Sequence, residues 1–238
     1  MIRKISRLLI AALATTALTA SNAAAADDQA GAMTRAEVEQ IVKEYLLDNP
    51  EILLEVSRAL SKKQQAEANK KLFDSQNDPV LGNPDGTTVV AEFFDYNCSY
   101  CRAAYDEVQK AISANPDLKV ILKEYPILGP DSQDAHLVAV ALQRISPDLY
   151  GKFHNEMFTT EGRATEDKAI EVATGLGVSE DALREAMAEE ETEQQLDEVQ
   201  QLGLALQVQG TPTYFDSEGP FGFDQLVTRT SPDSEQDG

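Results

Sequence analysis

Cysteine is almost missing from this chain: of 238 residues, only Cys98 and Cys101 carry a thiol. A framework of structural crosslinks is thereby excluded, because neither thiol has a further cysteine to pair with. Histidine is as scarce. His136 and His154 are the only two, and they stand far further apart than the roughly three-to-five-residue gap of a zinc finger. Cations are outnumbered, with 20 lysines and arginines against 41 acidic residues and a formal net charge of −21. Such a surface repels nucleic acid and anionic membranes, which argues against both as partners. Tryptophan is absent, so no indole is available to report on redox state.

Long apolar runs are confined to the start. Arg3, Lys4 and Arg7 lead into an apolar stretch over 8–20, and Ala24-Ala25-Ala26 stand ahead of Asp27-Asp28. That order is expected of a secretory signal peptide over 1–26, cleaved near Ala26. The stretch falls short of the about 20 residues that a spanning helix needs, which disfavours an uncleaved anchor. The mature protein is expected to be exported into an oxidising compartment. Its length can bury a core in one domain with an appendage.

Residues 27–82 read as an N-terminal helical arm. Thr34-Arg35-Ala36-Glu37 is a capping box, after which Val38, Ile41, Val42, Tyr45 and Leu46 share one helical face. Asn49-Pro50-Glu51 closes that helix and opens another carrying Ile52, Leu53, Val56 and Leu60. From 61 to 71 the chain is almost wholly polar, so a helix there lies in solvent or acts as a connector. The two stripes either fold back on their own domain or associate with copies of themselves. The polar connector tips the expectation towards a homo-oligomer through 34–73.

Beyond the turn-rich Asn83-Pro84-Asp85-Gly86, residues 87–96 read as a buried strand, 98–114 as a helix and 118–125 as a second buried strand. A helical stretch fills 130–208, broken at Ser146-Pro147, Gly162, Gly175 and Gly177. Gly210-Thr211-Pro212-Thr213-Tyr214-Phe215 then begins another strand. Strand, helix, strand, helical insertion and strand make an α/β fold whose halves are 83–129 and 209–228.

Cys98-Ser99-Tyr100-Cys101 therefore sits at a strand-to-helix junction. A sulfur at the first turn of a helix faces unpaired N–H groups and the positive end of the dipole, which favour thiolate over thiol. Cys101, one turn inward, suits the role of resolving thiol. A zinc half-site lacks two ligands, and a purely structural disulfide across so short a loop removes little unfolded-state entropy. Redox chemistry is the stronger reading.

With those residues in place, Glu92-Phe93-Phe94-Asp95-Tyr96-Asn97-Cys98-Ser99-Tyr100-Cys101 and the later Gly210-Thr211-Pro212-Thr213 resemble the DsbA-like thiol–disulfide oxidoreductases of the thioredoxin superfamily, over about 87–215. The helical stretch resembles that family's inserted domain. The N-terminal helices are similar to the arms of the ScsC copper-sensitivity-suppressor branch, some of which form trimers. The resemblance implies a thioredoxin fold with a helical insertion behind an α-helical arm. It implies that Cys98 is the nucleophile, Cys101 the resolving cysteine, Pro212 a cis proline, Thr211 the residue that pairs with substrate, and Glu92 a buried acid handling protons. The flanking Val89, Val90, Phe93 and Phe94 agree with burial of Glu92, and a buried carboxylate titrates high. Lys123 is its expected charge partner, while His136 and His154 are expected to be satisfied within the helical insertion.

Those implications carry a function: a periplasmic oxidoreductase exchanging the Cys98–Cys101 disulfide with cysteine-containing exported proteins, as oxidase or isomerase. A membrane or periplasmic redox partner would reset it, and no metal or cofactor is expected. The alternative is a non-enzymatic surface or copper-binding protein on the same scaffold. Two departures stand out. Ser99-Tyr100 lacks the histidine of the family's strongest oxidants and Asp95 adds a negative charge, which together point to an intermediate reduction potential. After Pro212 the chain looks shortened, with Leu226-Val227 as a candidate edge strand, no evident final helix, and a polar tail over 229–238.

Overall fold

A computed structural model of the chain describes residues 33–73 and 77–232. The expected leader over 1–26 and the end of the polar tail lie outside the described residues. The chain divides into two compact units, Met1–Ser57 and Arg58–Gly238.

In the first unit, helix α1 (Arg35–Asp48) starts with the expected capping box. The Glu37 amide donates to the Thr34 hydroxyl at 3.3 Å, and the Glu37 carboxylate accepts from the Thr34 amide at 2.8 Å. No residue of α1 is buried. Val38, Ile41, Val42 and Tyr45 are each close to half exposed, as are Leu53, Leu54 and Val56 at the start of α2 (Glu51–Phe73).

The polar region after Leu60 faces solvent over 61–67, as expected, but its far end is anchored. Within the second unit, α2 continues to Phe73 and buries Ala68 and Leu72, four residues apart on one face. They join Ala91, Phe93, Ile121, Tyr125 and Phe215 from the sheet, and Val199, Leu202 and Leu206 from α8 (Glu190–Ala205). Ala68 and Leu72, with the partly buried Phe73, seat this otherwise polar end of α2.

Five strands form one sheet: β1 (Val80–Gly82), β2 (Thr88–Phe94), β3 (Leu118–Glu124), β4 (Thr213–Asp216) and β5 (Gly219–Phe221), in the order β1-β3-β2-β4-β5. Because β1 is hydrogen-bonded to β3, the sheet begins inside the region assigned to the arm, and 80–82 belong to the α/β domain. Only β2 and β3 run parallel, joined by the crossover helix α3 (Ser99–Ala114). These two central strands are buried on both faces, polar Glu92, Lys123 and Glu124 included.

The face bearing Val90, Phe94 and Leu122 packs against α3 and the insertion. That insertion comprises α4 (Pro130–Ile145), α5 (Pro147–Thr159), α6 (Glu166–Gly175) and α7 (Glu180–Met187), followed by α8. Helix α4 runs through its centre, touching the other four, and buries Val138, Ala139, Val140, Ala141 and Leu142. On α8, Gly203 lets the helix rest directly on the Tyr125 ring, where a Cβ would collide.

The shortened end is closed differently from expectation. The edge strand is Gly219–Phe221, while Leu226 and Val227 open a final helix, α9 (Leu226–Thr230). Leu226 and Thr230 are buried, and the Asn115 side chain at the end of α3 donates to the Thr230 carbonyl at 2.9 Å. Arg229, assigned to the tail, instead donates to both Asp216 oxygens at 2.7 and 2.6 Å and lies 5.0 Å from the Phe221 ring centroid. One turn of helix with a buried leucine and an anchored arginine closes this end of the fold. No described helix is long and apolar enough to cross a membrane.

Candidate active site

Strand β2 ends at Phe94 and the chain turns through Asp95, Tyr96 and Asn97 into Cys98, the N-cap of α3 (φ −79°, ψ 118°). The Cys98 amide donates to the Asp95 carbonyl at 2.9 Å, and the Cys98 carbonyl accepts the first helical bond from Arg102 at 3.0 Å. Both cysteines are free thiols; 7% of Cys98 and 1% of Cys101 remain exposed, so only the first meets solvent appreciably. Tyr100, between them, is 76% exposed.

The loop before β4 completes the site. The Thr211–Pro212 peptide bond is cis, and the Cys98 thiol donates to the Thr211 carbonyl at 3.1 Å. Thr213 holds the turn by donating its hydroxyl to the Gly210 carbonyl at 2.7 Å. Residues 113 positions apart in the chain thus meet at one sulfur. Cys101 lies behind. Burial and the Glu92 charge raise its thiol far above the ordinary value, and hydrogen bonds from the Asp95 backbone and the Thr211 side chain only partly oppose this. Its proton leaves only when a base takes it.

Glu92 is buried, as its neighbours in sequence imply. Burial pushes it up to about 7, against a hydrogen bond at 3.1 Å from the Tyr214 hydroxyl. The expected partner, Lys123, is elsewhere. Glu92 is registered with Leu122, and Lys123 with Phe93; side chains alternate along a strand, so Lys123 projects from the opposite face, where it pairs with Asp78. The period of two excludes that partnership, and the sequence reading missed Tyr214 because the link crosses to β4.

Asp95 is also buried, but with a different outcome. Its oxygens accept from the Asn97 amide (2.8 Å), the Ser132 hydroxyl (2.9 Å), and the Ile127 and Leu128 amides (2.9 and 3.0 Å). Burial raises its pKa, but His136 and these donors outweigh it and hold Asp95 down at about 2. The negative charge expected beside Cys98 therefore organises the 126–129 loop and the first turn of α4.

His136 on α4 and His154 on α5 are buried within the helical insertion, as expected, and both face the turn after β2. The Tyr96 amide lies 3.1 Å from His136 Nε2, and His136 Nδ1 faces Glu124. Glu124 also accepts from Tyr150, and Tyr96 Oη lies 3.2 Å from His154 Nδ1. Burial, with His136 nearby, pushes His154 down to about 3, so it is neutral. Arg102, one residue past Cys101, donates to the Phe158, Thr160 and Tyr96 carbonyls, clamping the insertion to the start of α3. No group of three or more His, Cys, Asp or Glu side chains suited to a metal ion occurs among the described residues.

Comparison with known proteins agrees with this geometry. The family described as DSBA-like thioredoxin domain matches residues 89–228, and the copper resistance protein ScsC N-terminal domain matches 35–67. Disulfide bond formation protein D of Bacillus subtilis is 24% identical over 147 residues, which span 58% of this chain and 66% of that protein, just under two thirds of its length. A thioredoxin-like oxidoreductase from Silicibacter pomeroyi superposes with a TM-score of 0.62 at 33% identity, covering 66% of this chain and 92% of that one. ScsC from Proteus mirabilis, in a transitional conformation, shares the fold with a TM-score of 0.61 at 23% identity, over 84% of this chain and 97% of that one.

Proposed function

The chain belongs to the DSBA-like thioredoxin domain family, and from that premise we propose that it is a periplasmic thiol–disulfide oxidoreductase acting on cysteine-containing exported proteins. The observation that carries the reading is the meeting of the Cys98 sulfur with the Thr211 carbonyl at the mouth of the site, with Cys101 enclosed behind it. When the oxidised site meets a substrate thiolate, that thiolate bonds to Cys98 sulfur, the Cys98–Cys101 bond breaks, and Cys101 takes up a proton as it leaves. A second substrate thiolate then attacks the first, forming the substrate disulfide and releasing Cys98. In the reverse direction Cys101 gives its proton to Glu92, attacks Cys98 and expels substrate as a thiolate. An extended substrate segment lies alongside Thr211, pairing with its backbone.

The signal-peptide reading of 1–26 supports export, and a membrane or periplasmic partner resets the site. The exposed apolar residues of α1 and the start of α2 support association of the arm with copies of itself through 34–73, which would favour isomerase or reductase duty over that of a monomeric oxidase. A Cys101→Ser variant tests the chemistry directly. It should accumulate mixed disulfides between Cys98 and exported proteins, separable by diagonal gel electrophoresis. Cys98→Ser should abolish insulin reduction and refolding of a scrambled substrate. Absence of any trapped species, with insulin reduction unchanged in Cys98→Ser, would leave only a binding role, including copper capture at the thiols.

A further inference from the structure

We propose that Tyr214 is a positioning residue for the exchange reaction, its hydroxyl holding the Glu92 carboxylate in place to take the Cys101 proton. The inference rests on the oxidoreductase reading above and adds a group that the cysteine motif does not contain. Tyr214 and Glu92 are directly opposite in the antiparallel β2–β4 pair, so their side chains project from the same face of the sheet. The phenol donates to Glu92 Oε1 at 3.1 Å, the only side-chain hydrogen bond that reaches Glu92 among the described residues. Tyr214 is itself fixed from the far side, since its ring stacks on Phe221 of β5 with centroids 5.6 Å apart and planes 24° apart. Sheet register and stacking leave the hydroxyl one direction in which to point.

The titratable groups facing Glu92 come from two elements. Helix α3 presents Cys101 and Tyr105, both raised in part by the Glu92 charge, and β4 presents Tyr214. From β3 the residue opposite is Leu122, and the Lys123 cation is on the other face. Among the described residues no cation therefore stabilises the Glu92 carboxylate, and the phenol is what remains. Burial and the Glu92 charge raise the Tyr214 phenol far above its ordinary value, so it is a donor throughout the working pH range. A carboxylate with one neutral donor is held still but not neutralised, as a reversible proton acceptor requires.

The step it serves is balanced. Glu92 takes the proton of the Cys101 thiol, the Cys101 sulfur bonds to Cys98 sulfur, and the bond from Cys98 to substrate breaks with its electron pair leaving on the substrate sulfur. Enzyme is oxidised and substrate reduced; the reverse step returns the proton.

The test is the pH profile of the exchange rate on the purified protein, with insulin as substrate. Wild type should show an inflection near 7, absent from Glu92→Gln. Tyr214→Phe removes one oxygen and keeps the ring, so its inflection should move up by about one unit, the change expected for losing a hydrogen bond to a charged group. Its rate at neutral pH should fall about fivefold, as the ionised fraction of Glu92 drops. Site-specific replacement of Tyr214 by a fluorotyrosine strengthens the donor and should move the inflection down, which keeps the question answerable if the phenylalanine variant folds poorly. An inflection that stays in place in the folded variants overturns the assignment of Tyr214 while leaving the oxidoreductase reading intact. A wild type with no Cys98-dependent exchange at any pH overturns the functional reading instead.

Discussion

Replacing Glu92 with glutamine probes the electrostatics of the site without touching a sulfur. Burial shifts Glu92 from 4.5 to about 7 despite the bond from Tyr214. Between those values the folded chain keeps a proton that the unfolded chain has already released. Stability from this group is thus complete below the lower value and is lost as pH rises through the upper one. At 1.36 kcal/mol per pH unit, the interval corresponds to about 3 kcal/mol. The glutamine has no charge to lose, so it should gain about that much on wild type between roughly pH 4 and pH 8.5. Its extra N–H group, without an acceptor, costs about 1–3 kcal/mol, but equally at both pH values. His136 adds a loss of its own: burial lowers it, yet Glu124 and Asp95 carry it up to about 9. That contribution is common to both proteins and cancels in the difference. The assay is urea unfolding of the reduced proteins followed by far-UV circular dichroism, since the chain has no tryptophan. A change between the two pH values of less than about 1 kcal/mol, near the scatter of linear extrapolation, would refute the reasoning.

Leu72→Ala should destabilise the catalytic domain by about 2–5 kcal/mol in the same unfolding assay, although Leu72 lies on a helix that reads as a polar connector. By the same packing, a protein beginning at Asn77 should melt lower than one beginning at Arg58, so the oligomeric state of the arm is fairly compared by sedimentation only with the latter. Lys123→Ala removes the buried cation facing Asp78 and should cost about 3–5 kcal/mol. It should leave the pH inflection of exchange where it is, because Lys123 is on the other side of the sheet. Equilibration with glutathione should give a reduction potential between the roughly −270 mV of thioredoxin and −120 mV of DsbA; a value at the oxidising end would contradict the reading of Ser99-Tyr100.

Much of this was legible in the sequence because it is local. The Thr34 cap, the β2–α3 junction at Cys98 and the helical breaks of the insertion are each set by residues within a few positions of one another. Burial of Glu92 was legible for the same reason. What escaped depends on register across strands or helices. Lys123 is one residue from the strand position that would have faced Glu92, and nothing in a lone sequence fixes the offset of β2 against β3. Tyr214 sits two residues past Pro212, where an aromatic reads as ordinary core. Ala68 and Leu72 are two apolar residues in a polar run, too few to show a stripe. The charge of Asp95 was visible, but its four donors come from Asn97, Ile127, Leu128 and Ser132, two of them on a loop and one on the first turn of α4, whose approach only the folded chain reveals. His136 lay on the apolar face of α4, the one sign that it was destined for the interior.

The bond from the Cys98 thiol to the Thr211 carbonyl links oxidation state to the grip on substrate. A thiol has a proton to donate; a sulfur in a disulfide has none. In the reduced chain the carbonyl already hosts the protein's own sulfur, and an incoming peptide N–H must compete for that oxygen. Once Cys98 and Cys101 are joined, the same oxygen is vacant for the visitor. One hydrogen bond, about 0.5–1.5 kcal/mol, corresponds to a roughly two- to twelvefold difference in hold. On the proposed pairing of substrate with Thr211, handing over the disulfide would loosen the very contact that brought the recipient in, and turnover in the oxidase direction would carry its own release.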